Sequence, residues 1–573
     1  MKALFFLLLV ETLASLNAEA QYSRFVVQLR DKDHTPYQLS NPAAYLSDAS
    51  IQRRSRYHIG IDSTDLPVNP DYLLSISQIP NVIVLNYSKW LNQVLVKITD
   101  PGAIANLSLL PFVIGVSPVA TRSQPKQKDS LEVIVNKENL VLKQNSVRSE
   151  SGTASAHGNQ GNAIDYGSNY AQIHIHEGEW LHNLGFRGQR MSIAVIDAGF
   201  NSYLTNPVFD SLRINNRILA TYDYVNLKPS VNEENEHGAY CLSVLAANQP
   251  GVMTGTAPDA NYLLLKSEDP SSEFPIEEQN WIAAAEFADS AGADLITTSL
   301  GYAYFDISSF DHDYAERNGH TTMITKAANL AVAKGMIVTA SAGNSGTATD
   351  DSKFVGCPAD GDSTIAVGAT DTNGQIADFS SSGPNSSGQI KPDLVSVGEG
   401  TVVARTDGIP ALGNGTSFSN PNLAGLVACL WQAFPEFNGH DIIDATKKSA
   451  SQNTHPDNRY GYGLPNFRIA YQILMQKRLL SSVINAANLP PVSVYPVPFT
   501  DQFTVVIKPT QDVNAAIQLI DASGRIIETK SIEALANQVS TVQFNLLGSL
   551  PVGVYMIHYN DGHISKTIKS IKL

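Results

Sequence analysis

The sequence predicts an α/β protein: a parallel sheet covered by helices, preceded by a small α+β unit and followed by a β-sandwich. Three observations lead there. Between about 192 and 368, short apolar runs alternate with helix-length segments, as a doubly wound sheet requires. Ahead of them, residues 21–122 combine runs of strand-like alternation with a short helical segment. Beyond 491 only strand-like runs remain, separated by turns. At 573 residues the chain exceeds one ordinary core, so several domains are expected.

In chain order, Lys2, the apolar run Ala3 to Val10 and the small-x-small Ala18-Glu19-Ala20 read as a signal peptide over residues 1–20, which implies export. Arg24 to Arg30 and Asn92 to Ile98 alternate like half-buried strands, Pro101 to Leu110 is helical in spacing, and Phe112 to Val116 is extended. The cluster Gln52-Arg-Arg-Ser-Arg56 is either a processing site or a solvated helix face. Residues 123–166 are polar and rich in Ser, Asn, Gln and Gly, as suits a linker open to activation cleavage.

His174, His176, Glu177 and His182 crowd together, but their spacing misses the HExxH pattern, and a helix start with Trp180, Leu181 and Leu184 facing the core is expected. Strands are expected at Ser192–Ile196, Asn261–Lys266, Asp294–Ser299, Met336–Ala340 and Ser363–Gly368. Helices are expected at His237–Ala247, Ile276–Ala291, Thr322–Lys334 and Asn422–Phe434. After a short linker at Ala486–Pro491, four runs from Gln502 to Tyr559 alternate like sandwich strands.

Four blocks carry chemistry. They are Ser192-Ile-Ala-Val-Ile-Asp197, Glu236-His237-Gly238, Ser341-Ala-Gly-Asn344 and Gly415-Thr416-Ser417. Alone, Ser417 at a Gly-rich turn before an apolar helix reads as an N-cap. Together, and in this order, the blocks resemble the signature of the subtilisin-like serine proteases over about Gly167 to Arg478. The resemblance implies a serine endopeptidase with Ser417 as nucleophile, His237 as its base and Asp197 as the group that orients the imidazole. It also implies Asn344 as an oxyanion donor, and Ser299, Leu300 and Gly301 as a strand edge that pairs with substrate backbone. Phe418-Ser419-Asn420 departs from the Met-Ala-Ala or Met-Ala-Ser that many members of that family carry after the nucleophile.

By the same resemblance residues 21–122 are a propeptide, an intramolecular inhibitor, and residues 167–478 the catalytic domain. Val494-Tyr-Pro-Val-Pro-Phe499 and Leu550-Pro-Val-Gly-Val-Tyr555 make residues 492–573 similar to the sorting domain of type IX secretion. The partners this implies are protein or peptide substrates and the secretion machinery; the location is secreted or cell-surface. A carbohydrate- or protein-binding β-domain is the alternative for that region.

No cofactor is expected and no metal site is assigned. The acidic loop Asp350-Asp351 to Asp360-Gly-Asp362 has no regular calcium-ligand spacing, although calcium binding stays open. A net charge of −15 argues against a nucleic-acid partner. Cys241, Cys357 and Cys429 suit scattered buried thiols better than a disulfide framework. The rival functional class is a secreted binding protein on an inactive protease scaffold.

Overall fold

The computed structural model describes residues 22–121, 162–232, 235–484, 491–499, 502–545 and 547–572. The signal-like segment 1–20, residues 123–161 and most of the Ala486–Pro491 linker lie outside the described residues. Two compact units are present, residues 1–470 and 471–573.

The first unit begins with an antiparallel sheet in the order β2-β3-β1-β4. Its elements are β1 (Tyr22–Leu29), α1 (Asp48–Arg56), α2 (Pro70–Ser77), β2 (Val82–Ser88), β3 (Gln93–Ile98), α3 (Gly102–Ser108) and β4 (Val113–Thr121). Without α1, β1-α2-β2-β3-α3-β4 is a complete split β-α-β unit. Its core is Phe25, Val27, Val94, Val96 and Ile98 from the alternating strands, closed by Ile76 and Leu107 from the two helices. Residues 30–69, which carry α1, are therefore an excursion from that fold, tied back to its core by Val68.

The polar stretch ends earlier than its composition suggests. Ile164 and Tyr166, read as linker, are buried against Ile173 and Tyr170. Two apolar residues inside a polar run were enough to pack this end of it, so part of the stretch read as linker belongs to the packed body.

The centre of the unit is a seven-stranded sheet in the order β13-β12-β11-β10-β5-β9-β6, parallel throughout. Its strands are β5 (Ser192–Asp197), β6 (Ile218–Asp223), β9 (Asn261–Lys266), β10 (Leu295–Thr298), β11 (Ile337–Ser341), β12 (Ile365–Thr370) and β13 (Leu394–Val397). A small ladder, β7 (Asn248–Gln249) with β8 (Met253–Thr254), and the hairpin β14 (Thr401–Ala404) with β15 (Pro410–Gly413) flank it. The helices that bear on the site and the propeptide contact are α4 (His237–Ala246), α5 (Ile276–Ala291), α6 (Met323–Ala333) and α7 (Thr416–Ala433). Five of these strands, β5, β9, β10, β11 and β12, are buried and read as near-continuous apolar runs, which is why periodicity found them; β6, largely half-buried, and the four-residue β13 were not expected.

α7 starts at Thr416, six residues before the segment expected from Asn422, and Pro421 lies inside it. A proline there leaves the carbonyl four residues back, that of Ser417, without its helical donor. Two side chains take its place: Ser299 Oγ donates to Ser417 O at 2.8 Å and Cys241 Sγ approaches it at 3.3 Å.

The second unit has strands β16 (Val492–Tyr495), β17 (Phe503–Ile507), β18 (Val513–Asp521), β19 (Ile526–Ala534), β20 (Ser540–Phe544), β21 (Gly553–Asn560) and β22 (Ser565–Lys572), in two sheets ordered β16-β17-β20 and β19-β18-β21-β22. Val505, Phe544, Ile517, Leu519, Ile557 and Tyr559 interdigitate between them as a sandwich core.

Candidate active site

β5 delivers Asp197 at its carboxyl end, and the buried helix α4 begins with His237. Ligand sites of doubly wound sheets lie at these strand ends. His237 Nδ1 lies 2.5 Å from Asp197 Oδ1, which also accepts from Ala198 N at 2.7 Å. A carboxylate there fixes the proton on Nδ1 and leaves Nε2 as the basic nitrogen. Asp197 is 0% and His237 3% exposed, so the pair works in a low dielectric, where it is held tightly.

Ser417 is the second residue of α7, whose N-cap, Gly415, offers no side-chain acceptor. The helix places the positive end of its dipole at this serine. Cys241, one turn along α4 from His237, joins the two elements: its Sγ is 3.8 Å from His237 Nε2 and 3.3 Å from Ser417 O. The Phe418 ring packs against the imidazole with centroids 6.3 Å apart.

Asn344 follows β11. Its Oδ1 accepts from Thr416 N at 2.8 Å and from Thr416 Oγ1 at 2.9 Å, while Thr416 Oγ1 accepts from Gly343 N at 3.1 Å. A backbone N–H donor settles which end of the amide is oxygen. With Oδ1 committed, Nδ2 serves the cleft that Asn344 lines. That cleft holds about 370 Å³ and is also walled by Ser417, Ser299, Leu300, Gly301 and Glu268. A side chain built on Gly301 would meet nothing within 4 Å, so the backbone is open to a strand laid beside it. Ser299's hydroxyl faces the Ser417 carbonyl instead, which leaves its main chain for any such pairing.

The structure thus puts Asn344, Ser417 and the 299–301 edge on one cleft, and ties the Asp197–His237 pair to Ser417 through Cys241. Thr416 and Cys241 were quoted in the sequence but given no task; a hydroxyl next to the nucleophile was the available signal for the first. Glu268 and Glu273, which line the same cleft, left no sequence signal.

The histidine cluster does not converge. His176 bonds Pro465 O and Ser396 Oγ, and His182 bonds Tyr166 Oη and Thr256 O. Burial pushes both down to about 4, so they are neutral core groups. His174 is exposed and pairs with Glu179. The acidic loop is likewise spread out: Asp350 caps Ser352, and buried Asp360 accepts from Thr325 Oγ1 and Gly319 N. All three cysteines are free and buried.

A carboxylate-steered imidazole beside a helix-N-terminal serine, with an amide held over the same cleft, is the equipment of a serine hydrolase. Residues 188–463 match the subtilase family model, residues 24–132 the Peptidase S8 propeptide domain of Bacteroidota, and residues 493–572 the secretion system C-terminal sorting domain. Subtilisin amylosacchariticus of Bacillus subtilis subsp. amylosacchariticus is 30% identical over 297 residues, 51% of this chain and 68% of the relative. Subtilisin E of Bacillus subtilis is 31% identical over the same shares. Among solved structures, MycP1 from Mycobacterium smegmatis is 22% identical with a TM-score of 0.43, covering 52% of this chain and 84% of its own. The chain belongs to the subtilase family and is a serine-type endopeptidase. Its sorting domain marks it as secreted or attached to the cell surface, and no described helix is long and apolar enough to cross a membrane.

Proposed function

We propose that the chain hydrolyses peptide bonds through Asp197, His237 and Ser417 by way of an acyl-enzyme. His237 Nε2 takes the Ser417 hydroxyl proton as Oγ attacks the scissile carbonyl carbon. The carbonyl oxygen becomes an oxyanion, and Asn344 Nδ2 with the Ser417 N–H donates to it. Collapse expels the amine, which leaves with the proton from His237. Water then attacks the ester by the same route in reverse, releasing the acid and restoring the serine. Asp197 holds the ring's tautomer and stabilises its cation throughout.

The observation that carries this reading is the 2.5 Å His237–Asp197 contact beside a serine whose carbonyl is gripped from the same helix by Cys241. Residues 299–301 receive substrate backbone as an added strand. The propeptide domain acts as inhibitor before removal, and the C-terminal domain is the handle for type IX export. Replacing Ser417 by Ala tests the core of it: the variant folds and is exported but loses peptide hydrolysis. Retained hydrolysis would identify another nucleophile.

A further inference from the structure

The excursion 30–69 leaves the propeptide sheet and sits on the catalytic body at the C-terminal ends of α5 and α6. Two buried guanidinium groups make the contact, Arg53 and Arg54 being 3% and 1% exposed. Arg53 pairs with Asp289 in the last turn of α5 and donates to the carbonyls of Ala293 and Lys334, the latter at 3.2 Å. Arg54 reaches Asp289 Oδ2 at 2.9 Å and Asp65 Oδ1 at 2.6 Å. Lys334, at the end of α6, is held in turn by Asp65 at 2.9 Å and Asp62 at 3.0 Å. The arginine cluster is thus a solvated face only in part: Gln52, Ser55 and Arg56 are exposed, while Arg53 and Arg54 are sealed against the catalytic body.

The catalytic body's half of this contact is incomplete by itself. Asp289 places a carboxylate at the negative end of a helix dipole, where a cation is wanted. Among the described residues, every cation paired with it comes from the propeptide: Arg53, Arg54 and Lys89. The partners of Lys334 come from there too. The two helices stop at Gly292 (φ +91°) and Gly335 (φ +92°), where a side chain would strike Ala49 Cβ at 2.4 Å and Ile59 Cδ1 at 2.6 Å. Both turns therefore also admit the excursion's close approach. A separate contact lies further along α5, where Glu286 accepts from Lys89 N and Trp90 N at 2.8 and 3.0 Å.

We propose that Asp289, Lys334 and the carbonyls around them form a docking site on the mature enzyme for a paired-arginine helix, and that its occupant is this chain's own 30–69 segment, held after the chain is cut between propeptide and enzyme. The site lies apart from the cleft. It rests on the propeptide reading, but not on the catalytic roles given above.

The test uses the full chain carrying Ser417→Ala, with a recognition sequence for an added protease placed within 123–161. After the cut, the rate at which the propeptide fragment leaves on dilution is read by size exclusion and mass. Removing one partner of a buried charge pair strands the other, so Asp289→Asn, or Arg53→Gln with Arg54→Gln, accelerates departure by about 100-fold or more. Combining the changes accelerates it no further than the more damaging set alone, because all act on one contact. Departure within threefold of the parent, or effects that multiply on combination, overturns the proposal. Should either partial set fail to fold, the combined variant decides by the same measures: release about 100-fold faster supports the site, release at the parent's rate removes it. The readout needs no hydrolysis by this chain, so a failed docking site and a failed catalytic mechanism give different results.

Discussion

The active-site crevice and the propeptide contact are assembled from opposite materials. In the crevice, one carboxylate–imidazole pair is supported by small groups: a threonine on an asparagine amide, a serine and a cysteine on a carbonyl. At the propeptide contact, two arginines, two lysines and two aspartates are driven together with little exposure. The crevice never comes apart, so backbone geometry and short neutral contacts suffice. The contact must separate, and a face of charges can return to water where an apolar face of the same size would promote aggregation. The propeptide's cations keep Asp289, on the enzyme, below the usual carboxylate range: burial alone would raise it, and the charges of Arg53, Lys89 and Arg54 outweigh that.

The comparison can be broken in descending steps. If the crevice depends on its few polar groups, Ser417→Ala lowers kcat by about 10⁶ in a peptide-hydrolysis assay, a figure carried over from subtilisin itself. Asn344→Ala lowers kcat by about 10²–10³ with KM little changed, again the scale known from subtilisin's own oxyanion donor. A loss confined to KM would mean that Asn344 only binds substrate.

Next comes acid. His176 and His182 have folded values near 4 against 6.5 when unfolded, so the unfolded chain binds more protons between those limits. Their stability is fully present above about 6.5 and is lost as pH falls toward 4, about 3 kcal/mol for each. Denaturant titrations of the Ser417→Ala chain at pH 7.5 and 4.5 measure it, and His176→Gln should remove part of the difference. At the propeptide contact Glu286 behaves in the opposite sense. Burial raises Glu286 to about 6, so its neutral form favours the folded precursor, and that share of stability is lost as pH rises from about 4.5 to 6. Glu286→Gln should flatten that slope. The smallest effect is at Ser299→Ala, which leaves the Ser417 carbonyl with the thiol alone. It should cost about 1 kcal/mol in stability and less than tenfold in kcat/KM.

Much of this was legible in the sequence, for reasons that differ by region. Asn261–Lys266 and Ile276–Ala291 fall where periodicity puts them, because they are buried elements bounded by turns. The crevice was readable because its four groups sit in local motifs. The start of α7 was not, since Pro421 looks like punctuation until Ser299 and Cys241, 118 and 176 residues away from Ser417, are seen to serve its carbonyl. Arg53 and Arg54 looked like surface for the same reason: Asp289 lies more than 230 positions downstream of both. What local pattern cannot show is which distant charge completes a buried pair.

The most direct measurement is covalent labelling of the processed enzyme with a fluorophosphonate, followed by mass mapping of the adduct. The account predicts one phosphonyl group on the Ser417 hydroxyl, abolished by His237→Ala. A correctly processed, folded chain that hydrolyses peptides but takes the label elsewhere, or one that stays unlabelled and inert, would contradict it.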